Sequence, residues 1–470
     1  MSRKTKRPEP LAIERVPTGI PGLDTVLNGG LVKGGVYIIA GTPGAGKTIL
    51  GNQMCFNTVA RGGKALFVTI LAESNARMML HIGGMSFFNE QAIPGAIYYV
   101  SAFGALQTDG LKGVLDVVRR EVRSQEATLL VVDGLVAIEE RASSDEEFKR
   151  FIHELQTQSA LSGCTTVLLT SGGARETRPE QTMVDGLLYL KDVPDGQRRE
   201  RRLEASKMRG GGHLRGEHAF EITDEGIVVY PRIEALYARP SGEGLRDNRR
   251  LSTGVPELDM LIKGGLPVGS TTMLLGPPGS GKTTLGLHFL SQSTPKERAL
   301  YLGFYEPPEQ ACKKADLLNL PLRKLVGKDV VRIVWFPQTE NILDELGHAI
   351  LSNAQEMDAK RIFLDGMGGF QHSTAAPDRL LRFMGALANE TRAQGRTVIY
   401  THDRPELPAG MSSILENYFE MSMSHEGGVL QRWLRVVKVR DSDFEPTVQP
   451  YVLSDGGIRL SAQQTARKKK

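Results

Sequence analysis

The chain has 470 residues, enough for two domains of roughly 200–250 residues with full cores. Hydrophobic residues make up 40% and charged residues 24%, the balance of a globular protein, and a net charge of +4 is too small to call for a nucleic-acid partner. Cys55, Cys164 and Cys312 lie far apart with no C-x-x-C spacing, which argues against a zinc module and fits a reducing, cytoplasmic setting.

In chain order, residues 1–12 form a basic tail (Arg3, Lys4, Lys6, Arg7) with no apolar stretch behind it, so no secretory signal is expected. A first domain follows over 13–236. Val36–Ala40, Ala65–Ile70, Leu129–Asp133 and Thr165–Thr170 read as strands, with a helix opening at Lys47-Thr48. Their near-continuous apolar character predicts strands buried on both faces, hence an α/β domain with a mostly parallel twisted sheet between helices. The longest apolar run, around Leu129 to Ile138, is too short to span a bilayer, so no membrane association is expected. Residues 237–249, rich in Pro, Gly and charge, read as a linker. A second domain, 250–460, repeats the order with Thr271–Leu275, Ala299–Phe304, Arg361–Asp365 and Thr397–Thr401, and residues 461–470 are a second basic tail.

Two phrases recur 235 positions apart. The phosphate-binding spacing G-x-x-x-x-G-K-[ST] is met by Gly41-Thr42-Pro43-Gly44-Ala45-Gly46-Lys47-Thr48 and by Gly276-Pro277-Pro278-Gly279-Ser280-Gly281-Lys282-Thr283. Thr18-Gly19-Ile20-Pro21-Gly22-Leu23-Asp24 recurs as Thr253-Gly254-Val255-Pro256-Glu257-Leu258-Asp259. Repetition in step implies a duplicated nucleotide-binding domain. The loop glycines let backbone N–H groups curl round phosphate oxygens at a helix N-terminus. Lys47 and Lys282 are expected at the β/γ-phosphates, and Thr48 and Thr283 on Mg²⁺.

Asp133 and Asp365 each end an apolar strand, where an acid beside a P-loop supports the Mg²⁺ ion; a turn or helix-cap aspartate is the alternative. A carboxylate must also orient or deprotonate the attacking water, and Glu73 and Glu306, just after the second strand of each half, are the candidates against a plain surface glutamate. Lys207-Met208-Arg209 and Lys438-Val439-Arg440 end β-rich runs. On a strand the two cations of each share a face, either as trans fingers on a neighbouring subunit's phosphates or as an exposed strand face.

Thr-Gly-x-Pro-x-Leu-Asp before a P-loop, the strand-end acid and the late Lys-x-Arg together resemble the KaiC branch of RecA-like ATPases. The likeness is densest over Leu203–Gly216 and Phe220–Ile227. It implies two tandem RecA-like P-loop NTPase domains, a double-ring homohexamer with ATP between subunits, and Lys207, Arg209, His213 and Arg215 on the neighbour's phosphates. Lobes of that family resemble one another in having paired glutamates after the second strand. Here Leu71-Ala72 precede Glu73, and Pro307 follows Glu306, which implies altered turnover. The family's second lobe phosphorylates adjacent hydroxyls, and the matching residues are Ser412 and Ser413; Ser413-Ile414-Leu415-Glu416 is equally an S-x-x-E capping box. The long tail gripped by the activator KaiA is replaced by residues 461–470, so no KaiA partner is expected. The reading is therefore an ATPase with serine autokinase activity serving signalling through a further protein partner. The alternatives are a RadA/RecA-type nucleic-acid-dependent ATPase, disfavoured by charge, and a nucleotide-gated scaffold with little hydrolysis.

Overall fold

The computed structural model describes residues 13–70, 75–172, 182–195, 197–242, 248–374, 376–404, 406–407 and 410–461. The chain divides into two compact units, Met1–Arg232 and Ile233–Lys470.

In the first unit a sheet of nine strands among the described residues is built from β1 (Val36–Gly41), β2 (Ala65–Thr69), β3 (Ile97–Ser101), β4 (Leu129–Asp133), β5 (Thr165–Thr170), β6 (Gly186–Asp195), β7 (Arg198–Met208), β8 (Glu217–Thr223) and β9 (Gly226–Tyr230). Their spatial order is β9-β8-β7-β6-β1-β5-β4-β2-β3. The pairs from β6 through β3 are parallel and those from β6 through β9 antiparallel. Alternate residues of one strand feed two different cores: Tyr37 and Ile39 join one, Val36, Ile38 and Ala40 the other. This two-sided burial is what the unbroken apolar runs predict, and each such side chain contributes roughly 1.5–3 kcal/mol.

The second unit repeats the plan with β10 (Thr271–Leu275), β11 (Arg298–Gly303), β12 (Val331–Trp335), β13 (Ala359–Asp365), β14 (Thr397–His402), β15 (Asn417–Glu426), β16 (Val429–Val439), β17 (Gln449–Ser454) and β18 (Gly457–Leu460), in the order β12-β11-β13-β14-β10-β15-β16-β17-β18. Both units are thus mostly parallel α/β domains of the expected RecA-like class. The strands read from sequence match to within two residues. Edge strands β3 and β12 lie outside that reading; only the first residue of each is buried.

Residues 233–241, read from the sequence as the end of the first domain and the start of a linker, pack in the second unit. The division falls at Arg232/Ile233, and the residues after it are tied into the second unit. Ile233 is fully buried there, its N–H donates to Asp344 at 3.1 Å, and Ser241 donates through N–H and Oγ to Glu390 at 2.9 and 2.6 Å. A Pro/Gly/charge-rich composition argues against regular structure, which does not require absence of packing, as Ser241 shows.

The second repeated phrase is a structural lock. Asp24 accepts from Thr18 N–H and Oγ1 (2.7 and 2.8 Å) and Gly19 N–H (2.9 Å), and Asp259 accepts from Thr253 N–H and Oγ1 (2.8 and 2.7 Å). The three cysteines are buried and unbridged. Among the described residues no helix is long and apolar enough to cross a membrane.

Candidate nucleotide-binding sites

Each P-loop joins the C-terminal end of a central strand to a helix: β1 to α1 (Lys47–Ala60), and β10 to α2 (Lys282–Ser291). Gly44 and Gly46 hold φ of 80° and 97°, and Gly279 and Gly281 hold 83° and 92°, the left-handed region where a side chain is strained. The helix caps, Gly46 and Gly281, offer no side-chain hydrogen bond, so the first N–H groups of each helix remain available to an anion. A Cβ on Gly286 would come within 2.1 Å of the Phe363 ring, so α2 lies directly on the sheet and fixes where its N-terminus points.

The predicted metal pairs are brought together. Thr48 Oγ1 donates to Asp133 Oδ2 at 2.9 Å, and Thr283 Oγ1 to Asp365 Oδ2 at 2.9 Å. Hard oxygen donors in this number suit Mg²⁺, which takes one or two protein ligands and completes its shell with water and phosphate. Asp365 also accepts from Thr401 Oγ1 at 2.7 Å and Tyr301 OH at 3.3 Å. Sheet register puts Leu169 and Phe67 at those two places in the first unit, and neither can donate. Burial pushes the Asp365 carboxyl up, while the Thr401 and Thr283 bonds pull it back down.

Lys47 Nζ donates to the Gly41 and Thr42 carbonyls at 2.8 and 2.9 Å, and desolvation lowers its pKa against the raising influence of Asp133. A cavity of about 530 Å³ opens over Lys47, Thr48 and Asp133. Lys282 Nζ donates to the Gly276 and Pro277 carbonyls at 2.6 and 3.0 Å and also pairs with Asp403 at 2.8 Å. A cavity of about 380 Å³ there is lined by P-loop residues, Asp365, Asp403, Tyr305 and Lys314. A larger one of about 630 Å³, lined by Arg119, Arg123 and Leu161 among others, has no phosphate-binding element, and size alone does not make it the site.

Glu73 lies outside the described residues. Glu306 pairs with Lys314 at 2.9 Å through Oε1, and among the described residues its buried Oε2 has no hydrogen-bond partner.

The first Lys-x-Arg pair meets on one stretch of its own chain, and in the second the lysine holds a backbone target. Lys207 donates to Thr182 O at 2.7 Å, and Arg209 to Met183 O and Thr182 O at 3.1 and 3.2 Å. Lys438 donates to Ser412 O and Leu415 O at 3.0 and 2.7 Å. One residue before each lysine the strand is bulged, at Ser206 and at Val437, which re-aims the cation. Arg209, Arg215 and Arg440 are exposed and His213 half-buried, and none of these four or Lys207 lines the cavity at its own unit's P-loop.

The capping-box alternative for Ser413 is not what forms. The one-turn helix α3 (Met411–Ile414) is capped by Gly410, and Ser413 Oγ donates back to Gly410 O at 2.7 Å. Glu416 is drawn off elsewhere: it accepts from Thr271 N–H at 2.8 Å and pairs with Arg392. Asp185 makes the same contact in the first unit, accepting from Val36 N–H at 2.9 Å, so Glu416 anchors the first residue of the P-loop strand. Ser412 and Ser413 are left exposed. Sequence reasoning missed Asp403, Thr401 and Tyr301. The usable signal was position, since Thr401 and Asp403 sit at the C-terminal end of the strand beside the P-loop strand, where α/β sheets gather their ligands.

The family model described as "ATPase: KaiC" matches this chain twice, over residues 16–234 and 251–465. Among similar curated proteins, the circadian clock oscillator protein KaiC of Picosynechococcus sp. is 24% identical over 95% of this chain and 90% of its own. The protein of that name from Thermosynechococcus vestitus is 24% identical over 95% and 89%, and that from Synechococcus elongatus 23% over 97% and 91%. With the family model covering most of both units and a Thr–Asp pair set beside each P-loop, the chain belongs to the KaiC family of ATPases.

Proposed function

We propose that this chain is a Mg·ATP-hydrolysing enzyme that closes into a double-ring homohexamer with ATP between subunits, and that its second lobe phosphorylates its own serines. The observation that carries the hydrolytic reading is the Thr–Asp hydrogen bond at the base of each P-loop, Thr48–Asp133 and Thr283–Asp365. Mg²⁺, when bound, withdraws charge from the β- and γ-phosphate oxygens. Lys47 and Lys282 exchange a loop carbonyl for phosphate oxygen, and the open N–H groups of α1 and α2 hold the chain of phosphates. Glu306, which follows the second strand and pairs with Lys314 of the cavity wall, is the carboxylate proposed to position the attacking water in the second lobe. The exposed Arg209, Arg215 and Arg440, with Lys207, His213 and Lys438, are the cations offered to a neighbour, where Lys207, Arg209 and Lys438 would exchange backbone carbonyls for phosphate oxygens. Buried, unbridged cysteines fit a reducing, cytoplasmic location.

The kinase reading is supported by Ser412 and Ser413, exposed on a short turn that Lys438 pins through two carbonyls. A serine Oγ would form the new bond to the γ-phosphorus as the bond to the ADP oxygen breaks, its proton passing to a carboxylate for which Glu306 is the candidate. The output is regulatory, through a partner protein read by phosphorylation or nucleotide state.

Light scattering with and without ATP, run beside phosphate release and phosphopeptide mapping, tests each part. The expected result is an ATP-dependent hexamer, phosphate release lost in Lys47→Ala/Lys282→Ala, and label at Ser412 or Ser413. No release from the parent protein overturns the enzyme. Release without label in the 411–416 peptide overturns the kinase alone.

A further inference from the structure

The two P-loop lysines are not equivalently placed. An ammonium has three N–H donors. Lys47 spends two on loop carbonyls, and among the described residues no carboxylate lies within ion-pair distance of it. Lys282 spends all three: Gly276 O at 2.6 Å, Pro277 O at 3.0 Å and Asp403 Oδ1 at 2.8 Å. Asp403 follows β14 directly, and register puts Ser171 at its place in the first unit. It lines the same cavity as Gly279, Gly281, Thr283 and Asp365. The lysine is almost fully buried while the carboxylate is half exposed, so the anion stands at the mouth of the pocket with its oxygen on the buried cation.

We propose that Asp403 is an internal competitor for the terminal phosphate, which makes the second lobe discriminate against nucleoside triphosphate relative to diphosphate, while the first lobe, with Ser171, does not. The inference rests on the P-loops being nucleotide sites. A triphosphate brings its γ-group, and the larger negative charge, to the lysine donor that Asp403 occupies. It must therefore displace the carboxylate and then lie beside it, a like-charge neighbour in a partly desolvated pocket. A diphosphate ends one group earlier and meets less of that repulsion. Tyr305 lines the same cavity beside Asp403 and Asp365.

Full-length protein carrying Lys47→Ala restricts binding to the second lobe, and Lys282→Ala restricts it to the first. ATP and ADP dissociation constants are measured on each by calorimetry with Mg²⁺. In the Lys47→Ala background, Asp403→Asn is expected to tighten ATP relative to ADP by about tenfold, one decade of affinity ratio, and Asp403→Glu to keep the parent ratio. In the Lys282→Ala background, Ser171→Asp is expected to shift the first lobe's ratio the other way, a test that survives if Asp403→Asn fails to fold. An unchanged ratio in both substitutions, or weaker ATP binding by Asp403→Asn, overturns the proposal while leaving the nucleotide sites intact. Absence of any nucleotide binding in both backgrounds overturns the sites themselves and this inference with them.

Discussion

Thr401 donates a 2.7 Å hydrogen bond to the buried carboxylate of Asp365, and the register-equivalent residue in the first unit, Leu169, has nothing to donate. Thr401 thus supports the ionised form of Asp365 against a burial that raises its pKa. A raised pKa means that the carboxylate is protonated, and lost as a metal ligand, at a higher pH than an ordinary aspartate.

Thr401→Val is therefore expected to move the acid limb of second-lobe phosphate release upward in pH and to raise its Mg²⁺ requirement by about tenfold, the scale of one hydrogen bond to a charged group. Measurement in the Lys47→Ala background isolates the lobe. An unchanged profile would show that Thr401 does not support the ionised form.

Asp133→Asn and Asp365→Asn are each expected to remove Mg²⁺-dependent turnover from their own lobe by roughly a hundredfold or more while ATP still binds. Single-turnover phosphate release against calorimetric ATP affinity separates the two effects. Loss of binding instead of turnover would place these acids in the fold and not in the chemistry.

Lys438 fixes the turn that presents Ser412 and Ser413. Removing it in Lys438→Ala withdraws two charge-assisted bonds from the Ser412 and Leu415 carbonyls. Hydrogen exchange over 411–416 is expected to accelerate by about tenfold or more, with phosphopeptide yield falling in the same variant. Exchange at the parent rate would mean that Gly410 and the strand β15 hold the turn unaided.

His288 is held below its ordinary pKa chiefly by burial, and its Nε2 accepts from Ile458 N–H at 3.1 Å. A depressed histidine binds its proton more readily when unfolded. Its contribution is full above about pH 6.5, the unfolded value, and is lost as pH falls toward the lower folded one. His402 is shifted the same way by burial and adds to the trend. Thermal melts between pH 7.5 and 5.5 are expected to fall less in His288→Gln than in the parent. Equal slopes would assign the acid sensitivity to other groups.

Arg379 reaches Glu234 at 2.6 Å and the fully buried Asp344. Arg379→Ala leaves Asp344 buried without its cation, and denaturant unfolding is expected to show a loss of about 3–5 kcal/mol in the second unit. A loss under about 1 kcal/mol would mean that water reaches Asp344 as readily as Arg379 does.

The sequence made the central machinery legible because it is local. A P-loop is eight consecutive residues, and an apolar strand ending in Asp133 or Asp365 is five to seven. Glu416 shows the opposite case, where the capping-box alternative does not form. Its spacing from Ser413 satisfied a local rule, but its partners Thr271 and Arg392 come from distant strands and helices, and a long-range hydrogen bond took the carboxylate. Asp403 carries no motif at all, and only the parallel pairing of β10 with β14 delivers it to Lys282. The bulges at Ser206 and Val437 were equally invisible, being a property of pairing and not of composition.

The segment from Ile233 to Ser241 has a practical consequence for anyone separating the two halves. A cut placed at the compositional break near residue 249 would strip Ile233 from its buried seat, free the Asp344–Arg379 cluster of Glu234, and unhook Ser241 from Glu390. The isolated second half would then look unstable for a reason belonging to the scissors. Cut after Arg232 instead, it keeps its own floor.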